Sequence, residues 1–266
     1  MTNFLLALIL ASAHAAPAVD WNADPLASIT SQLVASRDGA APSAKPVRAL
    51  ENFDYYTLSL EWHPTFCAGG VGRSLPECRP PQTGQYDQAL VMHGLWPSLR
   101  NDPSNSLGYC GVDSSIKNQD TARTRCQMPP VPLSQQTRDA LASKMPGTDN
   151  CLERHEWYRH GTCSGLDAET YFALADSLVT QANDGALGRF IAANSGQTVS
   201  AADAMNQARA DWGSAADSAV HFVCVKGALS EIRITVSPSA QSLSGSLVPG
   251  DVGGSCPASF LITAGQ

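Results

Sequence analysis

The stretch AVHFVCVKGALSEIRITV, residues 219–236, decides how the chain is to be folded. Val, Ile, Phe and Thr dominate it, as on a pleated, half-buried surface. Its two parts, AVHFVCV and EIRITV, form a closing group with SFLIT at 259–263 that can pair antiparallel. Far upstream, Leu58, Leu60 and Trp62 alternate with Thr57, Ser59 and Glu61, which predicts a half-buried strand in a region that becomes ordered near Phe53. ALVMHGLW, residues 89–96, is apolar on both faces and predicts a central strand. Helices are expected over 134–145, 151–160, 167–182 and 200–212, the last opening with a Ser200-x-x-Asp203 capping pattern. Strands and helices do not alternate regularly. The expected architecture is therefore α+β, a mainly antiparallel sheet with helices packed to one side, and disulfide-stabilised.

The opening MTNFLLALILASAHAAPA carries an apolar run followed by small residues and an Ala13-His14-Ala15 cleavage pattern, so residues 1–15 read as a signal peptide. Residues 16–50 are rich in Ala, Pro and Ser and read as a mobile arm, leaving 51–266 as one catalytic domain. No later run approaches the roughly 18 to 20 apolar residues of a membrane span. The product is expected to be exported, periplasmic or secreted, with no membrane association after signal removal. Eight cysteines lie beyond the leader, Cys67, Cys78, Cys110, Cys126, Cys151, Cys163, Cys224 and Cys256. An even count in an exported chain predicts four disulfides, and the absence of any Cys-x-x-Cys pair argues against thiolate zinc. The net charge of −7 excludes a general polyanion binder, so any nucleic acid must be handled by a local cationic site.

Such a site is offered by CLERHEWYRHGTC, residues 151–163. On an α-helix with His155 at zero, Arg159 falls near ~40°, Glu156 near ~100° and His160 near ~140°. The histidines are five positions apart, where the zinc-protease motif His-Glu-x-x-His needs four. No metal or other cofactor is expected. Two imidazoles, a carboxylate and a guanidinium can instead manage a phosphoryl centre. One histidine accepts a proton from an attacking hydroxyl, a second gives one to the leaving oxygen, and cations neutralise the growing charge. The second imidazole is expected from His93, a titratable group in the otherwise apolar VMHGLWPS at 91–98.

MHGLWPS and HEWYRHGTC resemble the two signature segments of the ribonuclease T2 family, secreted endoribonucleases, and the resemblance runs from LSLEWHPTFC to the C-terminal cysteines. CLERHEW and GQTVSAADAM further resemble its bacterial branch. The resemblance implies cleavage of RNA by the ribose 2′-hydroxyl through a 2′,3′-cyclic phosphate, without metal. It implies His160 as general base, His93 as general acid and His155 as a phosphate ligand, with Glu156 and Arg159 stabilising the pentavalent phosphorus. Arg159 stands where the family usually has lysine, and Ser98 where many members have an acidic residue that helps choose the base. Trp96 is implied as a stacking surface for a base, with Ser98 beside it, and low base specificity is expected. Trp62, Phe66 and Tyr109 are further stacking candidates, and Arg73, Arg79, Arg100 and Arg154 further phosphate contacts. Family positions imply Cys110–Cys163, Cys224–Cys256, Cys67–Cys78 and Cys126–Cys151. The expected partner is RNA, met by a monomer. The rival readings are an exported RNA-binding or signalling protein without turnover and a metal-dependent phosphodiesterase.

Overall fold

The computed structural model describes residues 53–70, 72–79, 86–102 and 107–265; the expected leader and arm lie outside them. Six strands form one sheet among the described residues: β1 Tyr55–Glu61, β2 Val91–Ser98, β3 Thr198–Ser200, β4 Val220–Val225, β5 Ala228–Val236 and β6 Ser259–Leu261. Their order is β2-β1-β5-β6-β3, with β4 also beside β5. All pairings are antiparallel except one parallel contact, Ala228 with Leu261. The expected antiparallel closing group thus holds for β4 with β5, whereas β6 pairs antiparallel with β3 and touches β5 only at that position.

β1 is flanked by β2 and β5, and both its faces are covered, with Thr57 and Ser59 as buried as Leu58 and Leu60. The half-buried expectation is corrected here, because the polar face of β1 carries the site described below. β2 in turn lies at the end of the strand order rather than in the middle. Its apolar composition reflects coverage of both faces, and Pro97, which has no N–H to give a second neighbour, is tolerated on such an edge.

One face of the three strands presents Leu58, Leu60, Met92, Leu95, Ile232 and Ile234, all buried. Helices Gln135–Lys144, Ala168–Asp184, Ala186–Ala193 and Ala201–Trp212 contribute Leu141, Tyr171, Phe172, Leu187, Ile191 and Ala204 to the same core. Three of these helices start on oxygen caps that satisfy otherwise orphaned N–H groups: Ser134 accepts from Thr137, Asp167 from Thr170, and Ser200 from Ala202 and Asp203. Tyr171 donates its hydroxyl to the Leu95 carbonyl at 2.6 Å, tying the longest helix to β2. None of the described helices is long and apolar enough to cross a membrane.

The opposite face of the sheet is polar, and a β-bulge shapes it. Ser59 is paired with Gly94 and Leu60 with Met92, so His93 is the extra residue of β2. In strict alternation His93 would share the core face with Leu95. The bulge turns it instead to the side of Gly94 and Trp96, a common use of bulges beside functional sites. The sheet therefore delivers Trp96 and His93 from β2, Glu61 from β1, and Glu231 and Arg233 from β5 to one side.

Four disulfides join Cys67–Cys78, Cys110–Cys163, Cys126–Cys151 and Cys224–Cys256, and no described cysteine is free. Cys110–Cys163 closes a separation of 53 residues and holds the loop bearing Tyr109 against the segment bearing His160. Tyr109 donates its backbone N–H to the Arg159 carbonyl at 2.9 Å within that junction. Replacing both cysteines, Cys110→Ser with Cys163→Ser, is expected to lower the unfolding free energy by roughly 4 kcal/mol on the loop-entropy account. Denaturant unfolding of the oxidised proteins measures this; an unchanged midpoint would contradict it.

Candidate active site

Residues 151–160 do not form the single α-helix expected of them. Leu152–His155 is α-helical, Glu156–His160 opens into a π turn, and Gly161–Cys163 tightens again. The wider turn, which closes i to i+5 rather than i to i+4, has a direct chemical result. His155 and His160, which an α-helix would splay by ~140°, lie edge to face with centroids 5.7 Å apart. The segment straddles the β2 edge. Glu156 reaches the polar side of the sheet, while Trp157 sits 5.9 Å from Tyr171 on the core side.

Trp96 is the hub. Its ring lies 5.1 Å from His93 and 5.4 Å from His160, and its Nε1–H donates to Glu156 Oε2 at 2.8 Å. Two imidazoles distant in sequence thus pack against one indole. Glu156 is fully buried, and its Oε1 has no hydrogen-bond partner among the described residues, lying 3.9 Å from His155 Nε2. Burial pushes the Glu156 carboxyl upward, against the pull of the neighbouring His93 and His155 charges and the Trp96 N–H. Gly94 makes this approach possible: a Cβ there would lie 2.0 Å from Glu156 Oε2 and 2.3 Å from Trp96 Nε1.

The two imidazoles have opposite surroundings. His160 is buried, with Nδ1 unpartnered among the described residues. Burial first, then the positive charges of His155, Arg159 and His93, push it down to about 2. At His93, burial also disfavours the cation. The hydrogen bond from Nδ1 to Glu231 Oε1 at 2.8 Å, with the charges of Glu156, Glu231 and Glu61, overrides this and raises it to about 9. Over the wide range between these values His160 is neutral and His93 is cationic. The arrangement can take a proton at one ring and give one at the other.

His155 Nδ1 bonds Asp120 at 2.8 Å, and Tyr109 donates its hydroxyl to the same carboxylate at 2.8 Å. Burial works against Asp120 ionisation, but the His155 N–H and charge hold its carboxyl below the usual range. The Arg159 guanidinium stacks over Tyr109 with its carbon 5.4 Å from the ring centroid, a contact suited to a planar cation. His155, Glu156 and His160 offer ligand atoms within 4.8 Å of one another, so the donor types for a cation coexist here.

The structure brings His93, Trp96, His155, Glu156 and His160 together, with Arg159 beside them on Tyr109. Ser98 borders a cavity of about 330 Å³ that Trp96, Arg233, Tyr55 and Asp251 also line. Its hydroxyl is held internally, meeting the Thr57 hydroxyl at 3.1 Å and donating to the Trp96 carbonyl at 3.0 Å. A second cavity, of about 270 Å³, is lined by His93, Glu231, Glu61, Phe66 and Asn150. Trp62 is a core residue, donating to the Thr263 carbonyl. Arg154 serves the Cys126 and Met128 carbonyls, Arg73 that of Ala68 and Arg79 that of Ser74, while Arg100 stacks on Tyr55.

Sequence reasoning missed Glu231, Arg233, Asp120 and Gly94. Glu231 and Arg233 had a readable signal, two opposite charges alternating with Ile232 and Ile234 in a strand. Asp120 had none, since it stands in a polar loop segment.

The description "Ribonuclease T2 family" belongs to the family model that matches residues 53–247. Ribonuclease I of Escherichia coli (strain K12) is 32% identical over 235 residues, covering 79% of this chain and 86% of that protein. Among solved structures, Japanese pear S3-RNase superposes with a TM-score of 0.52 at 16% identity, over 79% of this chain and 99% of that one. An RNase-related protein from Calystegia sepium gives a TM-score of 0.51 at 15% identity, over 80% and 98%. At these identities the two structures speak for the fold alone.

The Gly94 contacts give a direct test of the packing. Gly94→Ala is expected to lower stability by about 1 to 3 kcal/mol through overpacking and to break the Trp96–Glu156 bond. Denaturant unfolding and indole fluorescence check this; wild-type values in both would contradict the close approach.

Proposed function

Because the chain belongs to the ribonuclease T2 family and is an RNA-cleaving endoribonuclease, we propose that the Trp96-centred cluster cuts single-stranded RNA by transphosphorylation. The observation that carries this reading is the pair of imidazoles, one neutral and one cationic, each packed against a single indole at 5.1 and 5.4 Å. His160 takes the proton of the ribose 2′-hydroxyl as its oxygen attacks phosphorus. His93 gives a proton to the 5′-oxygen as the P–O5′ bond breaks, leaving a 2′,3′-cyclic phosphate. Hydrolysis of that ester reverses the two roles, with water in place of the departing nucleoside.

His155, oriented by Asp120, binds the phosphate. Glu156 and Arg159 stabilise the crowded phosphorus, the carboxyl from its buried position and the guanidinium from its seat on Tyr109. The two cavities suit the nucleosides on either side of the scissile bond. The one lined by His93 takes the leaving nucleoside, and the one lined by Trp96 the nucleoside that bears the attacking hydroxyl. Stacking on Trp96 is tolerant of base identity, and the Ser98 hydroxyl is already engaged, which supports low base specificity. The proton transfers need no metal. Export to the periplasm or medium is supported by the four disulfides, which persist in oxidising compartments.

His93→Ala and His160→Ala are each expected to fold normally yet lose about 10² to 10⁴ in kcat/KM on RNA; near-wild-type turnover by either would defeat the assignment. Cleavage should persist in chelator, yield cyclic phosphate ends by mass analysis, and fail on a linkage whose 5′-side ribose is 2′-deoxy. A chelator-sensitive activity that cuts the deoxy linkage would point to the metal-dependent alternative. The rate should hold into acid, where His160 stays neutral, and fall on the alkaline side as His93 loses its proton near pH 9.

A further inference from the structure

Glu231 lies on β5, separated from β2 by β1, yet its carboxylate meets His93 because the bulge turns that ring to the polar face. Both oxygens are engaged. Oε1 accepts from His93 Nδ1 at 2.8 Å, and Oε2 accepts from Arg233 Nε and Nη2, each at 2.8 Å. The side chain is only 11% exposed. Arg233 in turn sits over the Trp96 ring with its guanidinium carbon 5.7 Å from the centroid. The chain Trp96–Arg233–Glu231–His93 therefore closes on itself through β2 and β5. Elements of a sheet hold such a constellation more tightly than loops do.

Resting on the assignment of His93 as the acid, we propose that Glu231 is its positioning residue. The carboxylate keeps the Nδ1 proton in place, so that the ring presents Nε2–H to the leaving oxygen. When the P–O5′ bond breaks, the Nε2 proton goes to that oxygen, Nδ1–H stays on Glu231, and His93 leaves the step neutral. With no free oxygen to offer a base or a ribose, Glu231 acts through His93 rather than on the substrate.

Other charges face His93, but none replaces this contact. Glu61 on β1 is engaged by His63 Nδ1 at 2.8 Å, Glu156 by Trp96, and His160 brings an imidazole of its own. Burial opposes ionisation of Glu231, but the His93 N–H and Arg233 outweigh it and hold the carboxyl at about 2. It is therefore ionised between about pH 2 and pH 9, the span in which His93 is also cationic, and does not compete there for the transferable proton.

A leaving-group comparison tests the role. Wild type, Glu231→Gln and His93→Ala are assayed on a ribodinucleoside monophosphate, whose alkoxide needs a proton, and on a ribonucleoside 3′-(4-nitrophenyl phosphate), whose phenolate does not. Glu231→Gln is expected to lose on the order of 10² in kcat/KM on the dinucleotide and less than about 10-fold on the aryl ester. The alkaline limb of its pH–rate profile should move to lower pH. Equal losses on both substrates, or none, would overturn the proposal. If Glu231→Gln fails to fold, Glu231→Asp, which withdraws the carboxylate by one methylene, is held to the same comparison. His93→Ala separates the two levels. Should it spare dinucleotide cleavage, the acid assignment itself fails. If it shows the leaving-group-dependent loss and the Glu231 variants do not, only the positioning role falls.

Discussion

His93 rests on an ionised carboxylate, whereas His160 is buried among positive charges with one nitrogen unpartnered. Proton transfer in opposite directions requires two rings of one chemical type to differ, and only their surroundings can make them differ. At His160 burial and nearby cations act in the same sense. At His93 burial is present too, but the Glu231 bond and three carboxylate charges outweigh it. The chemistry of the site is thus a consequence of which charges the fold brings to each ring.

Two local irregularities of the backbone create that distribution. The bulge in β2 moves His93 from the core side of the sheet to the side of Glu231. The π turn at Glu156–His160 brings His155 and His160 together and lowers Glu156 onto Gly94, where a side chain would have no room. Neither irregularity stands alone. Tyr171 clamps β2 through the Leu95 carbonyl, and Cys110–Cys163 fixes the loop on which Arg159 and Tyr109 meet. Active residues at bulges and π turns recur across proteins because regular elements alone rarely converge side chains so closely.

Much of this was legible in the residues. Apolar periodicity located the main helices and strands, and unusual company marked out His93 and the polar cluster at 155–160. The roles of those side chains and the cysteine pairing came from family resemblance, not from spacing. What periodicity could not supply was anything set by tertiary contact. The angles of an ideal helix put His155 and His160 on one face but spread over about 140°, whereas the π turn brings the two rings edge to face. Thr57 and Ser59 looked solvent-facing because alternation records polarity and is silent on what lies above a face. Glu231 and Asp120 are far from the motifs in sequence, and only the fold places them against His93 and His155.

The central claim, that the two imidazoles hold opposite charge states in the free protein, is open to direct observation. Ring nitrogen chemical shifts of His93 and His160, assigned with single-residue variants, are followed by NMR from about pH 4 to 8, a span centred near the ordinary histidine value. The account predicts a cationic His93 and a neutral His160 throughout. Two rings titrating together near the ordinary value, or with their states exchanged, would contradict it.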